Sequence, residues 1–249
     1  SRPVAGSSSI VVGNAVRESG VFVLESMAQN AHILHILHIS TAKETDLFEN
    51  TLPLEKKRIT AEACVHHLWF SEEDYKTKGN FIKWNPAVKK VTDRDAIWNA
   101  LNDNRIDILA TDHAPHTREE KGQKYLSAPS GGPLVQHAVL AILEKVKEGK
   151  ISLERAVEKM AHAPAVCFRL RERGFIREGY FADLVVIDPS KKYVVTENNI
   201  LSKCRWSPFE NFSFSHTVDT TFVNGKIVYQ SGIINEQKSA MRLLFNAMH

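Results

Sequence analysis

Cysteine is scarce in this sequence: Cys64, Cys167 and Cys204 are the three in 249 residues, far apart and never in a C-x-x-C pair. That excludes a disulfide framework and fits a reducing compartment, so a cytoplasmic location is expected. No run approaches the ~20 apolar residues of a membrane span, and the start lacks the charged-then-apolar layout of a signal peptide. Charge of one sign is also lacking. The net value is +3, without a basic run interleaved with aromatics, so neither a nucleic acid nor a membrane is an expected partner. Internal repeats and low-complexity tracts are absent. What remains is 43% hydrophobic and 24% charged content, enough to bury a large core.

From about residue 33, short apolar runs alternate with helical segments, the pattern of β-α units and a parallel sheet. Strands are expected at Ile33 to Ile39, Ile59 to Val65, Phe81 to Trp84 and Ile106 to Thr111, four in all. Helices are expected at Ala42 to Glu49, after Ser71, at Thr92 to Asn102, and from Pro133 to Glu148 with Gly149 as its stop, followed by one capped by Ser152. Ala15 to Gln29 reads as a helix before the first strand. Past residue 175 the texture is β-rich, with Asp183 to Ile187 and a Thr220 to Tyr229 hairpin turning at Asn224-Gly225.

In parallel α/β folds, functional groups gather where strands end. Here the ends carry His38-Ile39-Ser40-Thr41, His66-His67, Asn85, and Asp112-His113-Ala114-Pro115-His116. Imidazole and carboxylate are the ligands of catalytic zinc, and His38, His66 and Asp112 supply that set. Strand parity places His66 on the face of Glu62 and Cys64, and turns His67 the other way. A lone histidine at a strand end is more often structural, so the three together carry the reading. His32 and His35 are assigned to packing or surface roles, and His137 and His162 to helices. Asp112 can ligate and shuttle a proton, while His116 can pair with an anion.

Ile-Leu-Ala-Thr-Asp112-His-Ala-Pro-His116 resembles the eighth-strand motif of dihydroorotases, within the amidohydrolase superfamily of (β/α)8 barrels. Leu37-His38-Ile-Ser-Thr-Ala42 is similar to the fifth-strand motif, Thr60 to Leu68 to the sixth, and Lys83-Trp84-Asn85-Pro86 to the seventh. Gly179 to Val185 and Val223 to Val228 resemble strands of the superfamily's C-terminal β-sandwich. The likeness covers roughly residues 33 to 232. It implies about the last four β-α units of a partial barrel in residues 1–174 and a small β-sandwich segment in 175–249.

The resemblance also implies a zinc-dependent hydrolase of a cyclic amide, interconverting dihydroorotate and N-carbamoyl-L-aspartate in pyrimidine biosynthesis. In that reading His38 and His66 ligate one zinc, and Asp112 ligates the other and acts as acid/base. Asn85, His116 and the Ser130-Gly131 backbone hold the pyrimidine and its carboxylate. The family's His-x-His pair, the arginine after it and the bridging carboxylate or carboxylated lysine have no counterpart in this sequence. Severely reduced or absent activity is therefore expected of the chain alone. Lys-Trp-Asn85-Pro-Ala-Val-Lys and Pro-Ser130-Gly also depart from the usual Asn-Pro-Pro-Leu-Arg and Pro-Phe-Gly. Two alternatives stay open: an allantoinase- or hydantoinase-type enzyme, and an inactive dihydroorotase-like structural partner. Open sheet edges in a half barrel make self-association a further expectation.

Overall fold

Short β-branched runs with buried residues on both faces form a parallel sheet. In the computed structural model, which describes residues 10–14 and 33–246, β1 (Ile10–Asn14), β2 (Ile33–Leu37), β3 (Ile59–Cys64) and β4 (Ile108–Ala110) lie side by side in chain order. All neighbours run parallel, with Ile36 opposite Ala61 and Cys64 opposite Ala110. The described residues form an open sheet with no closed barrel. The helix expected over Ala15 to Gln29, and His32, lie outside the described residues, whereas the β1 strand was not anticipated.

The strand expected at Phe81 to Trp84 is a correction. Gly79–Ile82 forms a 3-10 turn, and β3 pairs directly with β4. Gly79, at φ +51, breaks the helix Tyr75–Lys78, and Trp84 then lays its ring flat on His66, 4.4 Å between centroids, instead of joining a ladder. Ile82 and Trp84 are nevertheless buried, which is why the run reads as a strand. The helix Val91–Asn102 matches expectation and buries Ile97, Trp98, Ala100 and Leu101 in the core. The stretch after Pro133 becomes helical only over Ala138–Lys147.

At the start of β3 and β4, opposite the end that bears the motifs, Lys57 Nζ meets Asp107 Oδ1 at 2.7 Å, both buried. The other Asp107 oxygen accepts the Ala61 N–H at 3.0 Å, so one carboxylate latches both strands.

A second sheet is antiparallel, in the order β8 (Ile233–Ile234), β7 (Lys226–Gln230), β6 (Thr217–Val223), β5 (Leu184–Asp188). Its β6–β7 turn places Asn224 at φ +52 and Gly225 at φ +77, the two left-handed residues a tight hairpin needs. Val195, Ile200, Phe209 and Phe214 join the same core cluster as Leu34, Ala61 and Leu101. The hydrophobic core thus runs across the expected boundary at 174/175.

Candidate functional site

The C-terminal end of the parallel sheet bends the backbone sharply. His38, one residue past β2, has φ +42, and Asp112, two past β4, has φ +46. A side chain in the left-handed region costs of order 1–3 kcal/mol, a strain found mainly where surrounding structure fixes a residue for use. Two of the three metal ligands expected from the sequence carry that strain.

β3 ends at Cys64, and Val65–Trp69 is a single helical turn. Alternation therefore stops before the histidines, and the expected opposition of His66 and His67 is corrected: their rings lie 4.0 Å apart, and both are buried. His67 Nε2 pairs with the Pro86 carbonyl at 3.0 Å, across the cis Asn85-Pro86 bond, whereas both nitrogens of His66 and Nδ1 of His38 are buried without a hydrogen-bond partner among the described residues. Burial, reinforced by His67 and His38, pushes His66 well below the usual imidazole range. Burial likewise draws His67 down to about 3, against its bond to Pro86. These rings are neutral at physiological pH, with lone pairs free to donate.

Burial raises the Asp112 carboxyl; His38 opposes that shift, and Glu62 adds to it. Asp112 therefore senses His38, and His38 in turn bears on His66, so the three expected ligands share one electrostatic neighbourhood. The donors suit a zinc ion in kind, since neutral imidazole and carboxylate with unfilled lone pairs are its ordinary ligands. In number they fall short: among the described residues no three His, Cys, Asp or Glu side chains converge closely enough to hold an ion.

The substrate-side residues are built by loop contacts. Gly131 (φ +116) and Gly132 lie against the Asp112–His116 loop, where a Cβ on Gly131 would come within 2.5 Å of the Ala114 carbonyl oxygen. A Cβ on Gly132 would strike the Trp84 and Trp206 rings at 2.8 and 3.0 Å. The Gly131 N–H donates to the Lys83 carbonyl at 2.9 Å, and its own carbonyl accepts from Lys121 at 2.8 Å. The Gly131 N–H and carbonyl are thus both engaged within the fold. Ser130 is half-buried, and Asn85 is exposed. His116 is half-buried, its Nδ1 3.5 Å from Glu120 Oε2, while its carbonyl accepts from the Trp206 indole at 2.6 Å.

Two features escaped sequence reasoning. His113 Nδ1 accepts the Leu134 and Val135 N–H groups at 3.1 and 3.2 Å, anchoring the motif loop to the following segment. His35, assigned to packing or surface, is fully buried and polar-bonded, with Nδ1 2.8 Å from Thr60 Oγ1 and Nε2 3.1 Å from Glu62 Oε2. Burial opposes its charge, but bonds to Cys167 and Glu62 prevail and raise its pKa to about 9. The sequence held one signal: in His35-Ile-Leu-His38 the three-residue spacing puts the two histidines on opposite faces of a strand, so they face different surroundings. His137 is buried immediately before the helix Ala138–Lys147 and bonded to Ser207, and His162 ends the helical turn Glu158–His162, stacked on Phe175.

Residues 14–228 match the Amidohydrolase family. The dihydroorotase of Endomicrobium trichonymphae is 38% identical over 200 residues, 79% of this chain and 47% of that protein. The dihydroorotase of Clostridium acetobutylicum is 41% identical over 173 residues, 69% of this chain and 41% of that protein. The chain thus spans about half the length of the curated relatives it matches. In structure it is similar to L-hydantoinase (dihydropyrimidinase) from Arthrobacter aurescens, with a TM-score of 0.78 at 22% identity, covering 91% of this chain and 58% of that one. It is also similar to the inactive dihydroorotase-like domain of a Chaetomium thermophilum CAD-like multifunctional protein, with a TM-score of 0.68 at 17% identity, covering 92% and 60%. At those identities the structural likeness speaks for the fold alone. No helix among the described residues is long and apolar enough to cross a membrane.

Proposed function

Because the chain belongs to the amidohydrolase family, we propose that it carries one side of a dihydroorotase site, hydrolysing the cyclic amide of dihydroorotate and re-forming it from N-carbamoyl-L-aspartate. The observation that supports this most is the pairing of buried, unbonded, neutral imidazole with a desolvated carboxylate at one end of a parallel sheet. The 38% and 41% identities to dihydroorotases support the choice of substrate.

In this reading His38 and His66 would hold one zinc ion through their unbonded nitrogens, and Asp112 would ligate the other. When bound, zinc supplies Lewis-acid polarisation of the amide carbonyl and a more acidic water. Asp112 takes up the proton released by the attacking water and passes it to the departing ring nitrogen. Burial raises its pKa, which favours the protonated form that such a proton carrier must pass through. Asn85, exposed at the mouth, and Ser130 offer polar contacts to the ring. His116 meets the substrate carboxylate, with Glu120 holding its imidazole from behind. Gly131 contributes by absence of a side chain, allowing the Ala114 loop to close in.

A second reading, an inactive dihydroorotase-like partner of another enzyme, is favoured by the shortage of converging donors among the described residues. One experiment separates the two. Zinc is titrated into the purified chain while thermal stability and dihydroorotate hydrolysis are followed, with His66→Leu and Asp112→Asn alongside. The enzyme reading expects a zinc-dependent stability increase that needs His66, and a turnover, slow in a chain that spans about half the length of its relatives, that is lost in Asp112→Asn. Zinc binding with no turnover above the Asp112→Asn background selects the inactive partner. No zinc effect on either measurement refutes the metal assignment.

A further inference from the structure

Lys121 ends the short helix Arg118–Lys121 in a run of charged residues, yet its side chain is fully buried. No carboxylate among the described residues pairs with it. Its ammonium instead donates to three carbonyls: Lys83 at 3.1 Å, Pro129 at 3.0 Å and Gly131 at 2.8 Å. That uses all the protons a lysine has. The charge also sits between two indoles, 6.0 Å from the Trp84 ring and 5.9 Å from the Trp206 ring. Burial, with Lys83 nearby, draws its pKa down to about 8. Lys83 repeats the device from the other side, donating to the Tyr125 and Ala128 carbonyls, both at 2.6 Å.

A buried cation without a counter-charge is costly, and a methyl-terminated side chain would fill the same space without that penalty. The carbonyls explain its retention. They belong to the two strips of backbone that frame the candidate ligand contacts, Lys83–Asn85 on one side and Pro129–Gly131 on the other. The Gly131 N–H already reaches the Lys83 carbonyl at 2.9 Å, and the Ala114 N–H reaches Gly132 at 3.2 Å. The first is a single backbone bond between the two strips, the second belongs to an isolated parallel bridge between His113 and Gly132, and the ammonium joins both strips at a single atom.

We infer that Lys121 is a positioning residue, whose buried ammonium clamps the Pro129–Gly131 strip to Lys83 and so fixes the spacing of the ligand contacts at Ser130, Asn85 and His116. The clamp itself is independent of the dihydroorotase reading. Its bearing on a ligand rests on that reading.

The test is amide hydrogen exchange by NMR on the full chain, with Lys121→Met, which keeps the stem and removes the ammonium. The reporters are Gly131 and Ala114, and the control is Ala141, whose N–H bonds His137 within the helical segment at 2.9 Å. The clamp expects exchange at the reporters to speed up at least about tenfold relative to Ala141, because local opening loses its cross-link while global stability does not. Asn80→Ala, which removes the side-chain donor to the Lys121 and Gln123 carbonyls, is a gentler second variant expected to act in the same direction by about threefold. If Lys121→Met leaves the reporters protected, or loosens Ala141 equally, the inference fails. Should Lys121→Met not fold, Asn80→Ala decides on the same ratio.

Binding of N-carbamoyl-L-aspartate by calorimetry, with zinc present, tests the link to the ligand. Affinity is expected to fall about tenfold in Lys121→Met, the cost of ordering a loop that was preorganised. Unchanged affinity despite a loosened strip overturns the positioning role. A loosened strip in a chain whose wild type does not bind the compound leaves the clamp standing and removes the dihydroorotase reading.

Discussion

Replacing His66 by leucine is expected to stabilise the metal-free protein while abolishing its response to zinc. His66 has no exposure, and neither ring nitrogen has a hydrogen-bond partner among the described residues. A neutral imidazole has one donor and one acceptor, and each buried unsatisfied group costs about 1–3 kcal/mol. Leucine removes both penalties but forfeits the stack on Trp84, 4.4 Å away, worth about 0.5–1.5 kcal/mol. Two such groups together cost about 2–6 kcal/mol, so the balance is a gain of roughly 0.5–5.5 kcal/mol, and at about 2–4 °C per kcal/mol for a protein of this size a central value of about 3 kcal/mol raises the Tm by about 6–12 °C. In wild type, zinc at about 100 times its Kd should add about 2.7 kcal/mol. In the variant that increment should vanish. Thermal unfolding by circular dichroism, in chelator and across a zinc series, measures both effects. A variant less stable than wild type in chelator would mean that His66 is an ordinary satisfied core histidine, and a retained zinc increment would mean that the ion binds elsewhere.

Two further outcomes follow from buried charge. His35 has its folded pKa raised from 6.5 to about 9, so its stabilisation is fully present below about 6.5 and is lost as pH rises through about 9, roughly 3 kcal/mol in all. Urea midpoints at pH 6, 8 and 10 should therefore fall in wild type and flatten in His35→Gln; parallel curves would contradict the charged-imidazole account. Lys57→Met should cost about 3–5 kcal/mol by stranding the Asp107 carboxylate, and adding Asp107→Leu should recover part of it. A loss under about 1 kcal/mol in the single variant would show that water reaches the carboxylate once the lysine is gone.

How far the sequence could be read depended on whether side-chain pattern and backbone geometry agreed. Three strands were legible because apolar runs at Ile33, Ile59 and Ile106 are both buried and laddered. Phe81 to Trp84 has the same apolar character, but its burial comes from a 3-10 turn and an indole stack, which periodicity does not distinguish from a strand. Parity located Glu62 and Cys64 and then failed at His67, because one helical turn begins at Val65. The site's residue types were visible in the motifs, whereas its strain at His38 and Asp112 and the engaged Gly131 N–H are properties of backbone conformation that residue identity does not encode. Lys121 was illegible for a simpler reason: in Arg118-Glu-Glu-Lys121 it reads as solvated surface, and its burial emerges only when two distant loops meet around it.

The Lys57–Asp107 latch lies at one end of the strands and the strained His38 and Asp112 lie at the other, so the protein separates what keeps it assembled from what it can do. Randomised libraries confined to the loops after β2, β3 and β4 would therefore sample new chemistries while leaving the fastening intact. A screen that allowed Lys57 or Asp107 to vary would mostly recover insoluble clones.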